Sequence, residues 1–186
     1  MTDRVLFVCT ANQCRSPMAE VMLVARLAER DAEVQVASCG LLSPGAAVVP
    51  EVTATLRRRG LDATGHRSRR LDAAVVRSAD LIVGLERLHV REVVVADRES
   101  WPRAFTLKEL ARRARSATPR VADEPFAVWV ARMHAGRSPE ALLGASSADD
   151  LADPIGGPPE GYEEAATAID ELVTVLAARA WPARLT

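Results

Sequence analysis

The sequence predicts an α/β fold: a short, four-stranded, mainly parallel sheet with helices on both faces. Strand-like apolar runs alternate with helical stretches along the chain, a pattern typical of crossover units that bring parallel strands together. The length of 186 residues suits one domain, and the hydrophobic share of 48% can fill a core without disulfides or metals. We therefore expect residues 1–186 to form a single domain.

The first strand, loop and helix follow one another directly. Residues 4–8 read RVLFV, a short apolar run, and residues 18–31 repeat apolar side chains at helical spacing. Pro17 is expected at the first helical position, where its missing N–H is tolerated. A second strand is predicted over residues 33–37 and a second helix over residues 51–59.

The rest of the chain continues this alternation. The stretch HRSRRLDAAVVRSADLIVGLERLHVREVVV predicts a short helix, the buried strand ADLIV and another helix. The pattern is less regular over about 101–147, where RAF is a candidate fourth strand and LKELARRA and PFAVWVARMHAG are helical. We interpret this range as a helical insertion near the C-terminal half of the sheet. A loop rich in glycine, proline and aspartate precedes a final helix over about 162–180.

Composition excludes several classes of partner. The 24 basic and 25 acidic residues nearly cancel to a net charge of -1, so no overall field attracts nucleic acid or an anionic membrane. Aromatic residues, at 4%, are too few for base-stacking platforms. No apolar run approaches the roughly 20 residues of a membrane span. Three cysteines without paired C-x-x-C spacing fit a reducing setting, so we expect a cytoplasmic protein.

The loop CTANQCRS, residues 9–16, carries the candidate chemistry because it joins a strand end to a helix start. Its successive backbone N–H groups can surround a tetrahedral anion at the positive end of the helix dipole. Arg15 can grip two anion oxygens, and Cys9 in the same positive field favours the thiolate, the form that attacks. The pattern predicts phosphoryl transfer to sulfur. No metal or organic cofactor is required, because Arg15 and the amides supply the positive charge. The predicted phosphate-binding residues are Thr10, Ala11, Asn12, Gln13, Cys14, Arg15 and Ser16.

The stretch VLFVCTANQCRSPMAE resembles the N-terminal signature of the low molecular weight protein-tyrosine phosphatases, C-x-G-N-x-C-R-S-P, except that Ala11 replaces a glycine. The resemblance continues in ASCG, GLDATGHRSR, ADLIVGLERLH and DPIGGPPEGYEEA, and leaves about 103–148 unaccounted for. It implies a phosphomonoester hydrolase, foremost a protein-tyrosine phosphatase, that forms a cysteinyl-phosphate intermediate. Its implied partners are a phosphorylated protein or a small phosphomonoester, with inorganic phosphate as product and inhibitor.

The same resemblance implies an acid late in the chain. Asp153, followed by Pro154, would protonate the leaving group and then deprotonate the attacking water. Asp149 and Asp150 are rivals that could merely cap or solvate a loop. The proline after Asp153 favours that residue, because it stiffens the loop that presents the acid.

Further roles around the loop are implied by the resemblance. Asn12 would shape the loop with His66 as its partner, and Ser16 would donate a hydrogen bond to the Cys9 thiolate. Cys14 would form a reversible disulfide with Cys9, although a purely structural role as a small buried residue stays open. Other residues carry separate expectations: Cys39 is structural, and His89 and His134 lie on the surface and form no metal site.

The substrate cleft is expected to be aliphatic. Family members that act on phosphotyrosine place aromatic side chains beside the cleft, whereas the corresponding stretches here offer Leu41, Leu42 and Ile155. Aliphatic walls can flank a ring without stacking on it, so the residues alone leave the substrate open.

Two alternatives remain open from the sequence. An arsenate reductase of the same fold would use the same loop with a small-molecule thiol, since no cysteine after Cys39 can pass a disulfide outward. A non-catalytic phosphate-binding or phosphoprotein-binding module would follow if Ala11 strained the loop.

Overall fold

The computed structural model describes residues 2–183 and contains a four-stranded parallel sheet, which confirms the predicted fold class. The spatial order is β2-β1-β3-β4. The strands are β1 (Asp3–Cys9), β2 (Val34–Gly40), β3 (Leu81–Gly84) and β4 (Ala104–Thr106). Because every pairing is parallel, all four carboxyl ends lie at the same edge of the sheet. That edge carries the candidate site.

Seven α-helices and two 3₁₀ helices surround the sheet in the described residues. The α-helices are α1 (Arg15–Ala28), α2 (Pro50–Arg58), α3 (Ala73–Arg77), α4 (Arg87–Ala96), α5 (Leu107–Ser116), α6 (Phe126–His134) and α7 (Pro159–Ala180). The 3₁₀ helices cover Arg98–Arg103 and Pro139–Leu142. No helix of this part of the chain is long and apolar enough to cross a membrane.

The core has two layers because side chains of β1 alternate between the sheet faces. Val5, Phe7 and Cys9 belong to the larger cluster, which also contains buried side chains of α1, α2, α5, α6 and α7. Leu6 and Val8 belong to the smaller cluster, formed with α3 and α4. The helices therefore cover both faces, as predicted.

The boundaries of the predicted insertion over about 101–147 need correction. β4 and α5 lie inside this range, yet β4 pairs with β3 in the sheet and α5 packs into the larger cluster. Of the helices that begin within this range, only α6 and the 3₁₀ helix Pro139–Leu142 do not directly follow a strand of the sheet. The candidate fourth strand RAF overlaps β4, so the prediction of a fourth strand within this range is confirmed.

Two smaller expectations are also corrected. Helix α1 begins at Arg15, so Pro17 is its third residue rather than its first. The proline is still tolerated because the first four N–H groups of a helix have no acceptor within it. His134 is half-buried rather than on the surface, and its ring meets Trp101 edge to face at 5.5 Å between ring centres.

Candidate active site

Cys9 ends β1 and Arg15 begins α1, so the intervening loop lies at the carboxyl edge of the sheet. The Sγ atom of Cys9 accepts two hydrogen bonds, one from the backbone N–H of Asn12 at 3.2 Å and one from Oγ of Ser16 at 3.0 Å. Both bonds are stronger to a charged acceptor than to a neutral one. The loop thus provides donors that suit a thiolate on Cys9, which is itself buried.

Asn12 shapes the loop from its centre. It is fully buried and has a φ of 54°, in the left-handed region. Its Nδ2 donates to Oγ of Ser16 at 2.9 Å and to Oγ of Ser38 at 2.7 Å, and its Oδ1 accepts from the backbone N–H of Arg69 at 2.8 Å. His66 lies at the backbone of Asn12, with Nε2 2.8 Å from the carbonyl oxygen. These bonds offset the strain of the backbone.

Ala11, which replaces the glycine of the family signature, does not have the strained backbone that would favour a non-catalytic module. Among described residues other than glycine, only Asn12 and Asp31 have a positive φ. The glycine that the loop requires lies instead at the end of β2. A Cβ on Gly40 would stand 2.7 Å from the backbone nitrogen of Asn12 and 2.8 Å from the carbonyl oxygen of Thr10. Gly40 therefore lets β2 approach the loop backbone.

Arg15 is buried and makes its contacts with groups far along the chain. Nη1 donates to the Glu86 carboxylate and to the carbonyl oxygen of Leu151 at 2.7 Å, and Nη2 donates to Oδ2 of Asp153 at 2.6 Å. The buried Nε has no hydrogen-bond partner. An unpaired buried donor is costly, so Nε is a donor available for an oxygen of a bound anion.

Glu86 is a site residue that the sequence analysis missed. It lies two residues after β3 ends at Gly84, at the same sheet edge as Cys9. A usable signal existed, because charged residues just past the carboxyl ends of parallel strands gather at one edge.

The three candidate acids have different surroundings. The Asp149 carboxylate pairs with Arg87 and Arg112. Asp150 accepts from the backbone N–H groups of Arg87 and Ser146, both at 2.7 Å. Both aspartates are therefore occupied in holding their own segment. Asp153 instead reaches Arg15, and 37% of its side chain is exposed, which leaves it accessible to a substrate.

His89 is fully buried, which corrects its predicted surface position. Helix α4 packs on the sheet through His89, Val90 and Val93, because these residues share one helical face. Nε2 of His89 lies 3.0 Å from Oγ1 of Thr10 in the loop, and its buried Nδ1 has no partner. Burial, with a smaller effect from Arg15, lowers the pKa of His89 to about 3. The imidazole is therefore neutral at neutral pH.

The three cysteines are unpaired and buried. Burial raises the pKa of the Cys14 thiol, with smaller contributions from the negative charges of Asp153 and Cys9, so Cys14 stays protonated. Burial raises the pKa of Cys39 to about 12. Cys39 lies in the smaller core cluster, whereas Cys9 and Cys14 lie in the larger one. The sheet therefore separates Cys39 from the loop cysteines.

The expected cleft walls differ in exposure. Leu42 and Ile155 are exposed, at 54% and 44%, whereas Leu41 is half-buried against the smaller core cluster. The backbone N–H groups of Leu41 and Leu42 donate to the carbonyl oxygen of Thr10 at 2.7 and 3.1 Å. The backbone N–H of Ile155 donates to Oδ1 of Asp153 at 3.2 Å. All three residues are thus tied to the loop or to the candidate acid.

Known proteins share this fold. The family model described as low molecular weight phosphotyrosine protein phosphatase matches residues 4–129. The protein-arginine-phosphatase of Bacillus subtilis (strain 168) is 35% identical over 107 residues, which is 56% of this chain and 70% of that protein. The protein-arginine-phosphatase of Geobacillus stearothermophilus is 27% identical over 178 residues, 95% of each protein. The low molecular weight protein-tyrosine phosphatase of T. tengcongensis has a solved structure that superposes with a TM-score of 0.71 at 27% identity, covering 94% of this chain and 97% of that one.

The family match covers part of the range that the sequence resemblance left out, and it ends at residue 129, before Asp153. It runs through β4 and α5 into α6, most of which the resemblance left unaccounted for. The chain therefore belongs to the low molecular weight phosphotyrosine protein phosphatases, hydrolases that act on phosphate monoesters.

Proposed function

We propose that this protein removes phosphoryl groups from phosphotyrosine side chains of proteins, with Cys9 as the nucleophile. The observation that supports this most strongly is the loop itself. Cys9 Sγ sits beneath the donors of Asn12 and Ser16, and the unpartnered Nε of Arg15 is buried at the other end of the loop. Such an arrangement stabilises both a thiolate and the negative oxygens of a phosphoryl group.

The first step transfers the phosphoryl group to sulfur. The phosphate oxygens accept from the backbone N–H groups of residues 10–16 and from the Arg15 guanidinium. The Cys9 thiolate attacks phosphorus in line, a P–S bond forms and the P–O bond to tyrosine breaks. Asp153 donates its proton to the leaving phenolate.

The second step frees the enzyme. Asp153, now a carboxylate, takes a proton from water as the water oxygen attacks phosphorus. The P–S bond breaks, Cys9 regains its negative charge and inorganic phosphate leaves. Phosphate is therefore both product and inhibitor, because it occupies the same donors.

Asp153 has to exchange partners during this cycle. In the structure its carboxylate pairs with Nη2 of Arg15, a donor that a bound phosphoryl group also uses. Binding of the substrate dianion displaces Asp153 from Arg15 towards the leaving oxygen. Pro154 and the bond from the Ile155 N–H restrict where the carboxylate can go.

Phosphoarginine is a second candidate substrate. Two of the relatives described above are protein-arginine-phosphatases, and one of them aligns over 95% of this chain. The expected walls Leu41, Leu42 and Ile155 provide no aromatic face on which a tyrosine ring would stack. The same two steps would then break a P–N bond, with Asp153 giving its proton to the guanidinium nitrogen.

Kinetics on matched phosphopeptides distinguishes the two substrates. We expect a higher kcat/KM on a phosphotyrosine peptide than on phosphoserine or phosphoarginine peptides of the same flanking sequence. A preference for phosphoarginine would replace the tyrosine assignment, and a preference for phosphoserine or a sugar phosphate would contradict both.

Single substitutions test the catalytic roles. Cys9→Ser should lower activity on p-nitrophenyl phosphate by about 10³-fold or more, because a hydroxyl is a far weaker nucleophile than a thiolate. Cys39→Ala is the matched control, since Cys39 lies on the other sheet face, and should retain activity. Retained activity in Cys9→Ser would overturn the mechanism.

The two alternatives that the sequence left open are less well supported than phosphatase activity. The matched family and the relatives described above are phosphatases, so arsenate reduction is not favoured. The case for a non-catalytic module rested on strain at Ala11, where φ is not positive. We further propose that residues 1–186 work as one cytoplasmic phosphatase domain without a metal or cofactor, and that neither nucleic acid nor membrane is a partner.

A further inference from the structure

The segment 142–150, which leads into the candidate acid loop, is held by cationic side chains of two helices. Each of these side chains donates to one or more backbone carbonyl groups of the segment. The donors are Arg87 and Arg91 of α4 and Lys108 and Arg112 of α5. Lys108 is the only lysine among the 24 basic residues of the chain.

Among these four cations of α4 and α5, Lys108 makes the contact that lies nearest to Asp153 along the chain. Its Nζ donates to the carbonyl oxygen of Ser147 at 2.9 Å and to that of Asp150 at 2.7 Å. An ammonium is a compact donor that can serve two converging oxygens, whereas a guanidinium is a wide planar fork. The geometry gives a reason for lysine at this position.

The stability of α5 does not explain Lys108. The residue lies in the first turn of the helix, where a cation opposes the helix dipole. This turn already has its own cap, since Oγ1 of Thr106 accepts from the backbone N–H of Glu109 at 3.1 Å. The two carbonyl contacts are what Lys108 adds.

Hydrogen bonds continue from Lys108 to the catalytic arginine. After Asp150, the backbone N–H of Leu151 donates to the carbonyl oxygen of Leu85 at 2.9 Å, which docks the segment beside β3. The carbonyl oxygen of Leu151 then accepts from Nη1 of Arg15 at 2.7 Å. Asp153 follows two residues later and meets Nη2 of the same arginine.

We propose that Lys108 is a positioning residue for Asp153. By fixing the Asp150 carbonyl it sets where the acid loop leaves the fold, and so where the Asp153 carboxyl meets the leaving group. The proposal rests on the role of Asp153 as general acid. It gives α5, which lies within the predicted insertion, an indirect part in catalysis through the position of Asp153.

Leaving-group dependence is the readout that tests this role. Phenyl phosphate has a poor leaving group that needs a proton, whereas p-nitrophenyl phosphate has a good one that does not. We expect Lys108→Met to lower kcat/KM about tenfold on phenyl phosphate and less than about twofold on p-nitrophenyl phosphate. Lys108→Arg, whose wide guanidinium can donate to one of the two carbonyls, should recover only part of the loss.

Two further variants complete the experiment. Arg112→Met removes a cation from the same helix that contacts the segment farther from Asp153, and should show no leaving-group dependence. Asp153→Asn should show the same dependence as Lys108→Met but more strongly, by about 10²-fold. If Lys108→Met does not fold, Lys108→Gln decides, because its amide can still donate to one carbonyl.

The outcomes separate the two claims. An equal loss on both substrates in the Lys108 variants, or a matching effect of Arg112→Met, overturns the positioning role and leaves Asp153 as the acid. No leaving-group dependence in Asp153→Asn overturns the acid role itself.

Discussion

Arg15 and Glu86 form an ion pair between the first residue of α1 and the residue just before α4, with Nη1 of the arginine donating to the carboxylate. Only 2% of the Arg15 side chain is exposed, compared with 27% for Glu86. The carboxylate holds one side of the guanidinium and leaves Nε free. It also places a negative charge close to the proposed phosphate site.

Two substitutions distinguish the effect of Glu86 on the orientation of Arg15 from the effect of its negative charge. Glu86→Gln keeps an acceptor for Arg15 but removes the charge, so inorganic phosphate should inhibit at about fivefold lower concentration. Glu86→Ala removes the acceptor as well, so kcat on p-nitrophenyl phosphate should fall about tenfold because Arg15 is less well oriented. Initial-rate kinetics with phosphate as inhibitor measures both. Unchanged constants in both variants would refute this account.

Gly40 should be intolerant of a side chain. The Cβ of Gly40→Ala would meet backbone atoms of the loop, which cannot move aside as a flexible side chain can. We expect a loss of about 3 kcal/mol in the free energy of unfolding, together with at least a tenfold drop in kcat/KM. Gly65→Ala is the matched control, since no heavy atom beyond its own chain neighbours lies within 4 Å of its Cβ position. Urea unfolding and activity assays that found the two variants alike would contradict the prediction.

His89 should make the protein less stable in acid. Burial and Arg15 lower its pKa to about 3, whereas the unfolded chain has an ordinary value of about 6.5. Between these values the unfolded chain binds a proton that the folded protein does not, so stability falls as the pH decreases. The nearby charges of Asp150 and Arg91 oppose each other and are weaker than burial.

Urea unfolding at pH 7 and pH 5 measures this effect. His89 alone should cost about 2 kcal/mol of unfolding free energy over this interval. The amide of His89→Asn can still bond to Thr10 but does not titrate. Between pH 7 and pH 5 the unfolding free energy of this variant should therefore fall by about 2 kcal/mol less than that of the original protein. Equal losses would show that the imidazole is not the group responsible.

Cys14 should protect the nucleophile from irreversible oxidation. Peroxide oxidises the Cys9 thiolate to a sulfenic acid. The sulfur of Cys14 then attacks that sulfur while the Cys14 proton passes to the departing hydroxyl, so a disulfide forms and water is released. After peroxide treatment, dithiothreitol should restore most of the activity of the original protein but little of the activity of Cys14→Ser. Cys39→Ala should recover like the original protein. Full recovery of Cys14→Ser would assign Cys14 a structural role.

The fold and the loop could be predicted because each is encoded in short stretches of the sequence. The alternation of strands and helices, the chemistry of residues 9–16 and the proline after Asp153 all lie within short windows of sequence. The burial of His89 was also predictable from the sequence, since it shares a helical face with Val90 and Val93. The run RAF marked the place of the three-residue β4, although so short a strand shows no period.

The sequence by itself determined the nucleophile loop, the order of its elements and the family resemblance. Tertiary structure alone decided what surrounds the loop: Glu86 on Arg15, His89 on Thr10, and Lys108 at the base of the acid loop. The physical reason is the parallel sheet. Its strands bring their carboxyl ends to one edge, so groups 71 and 79 residues apart meet there, and no local spacing encodes which of them will touch.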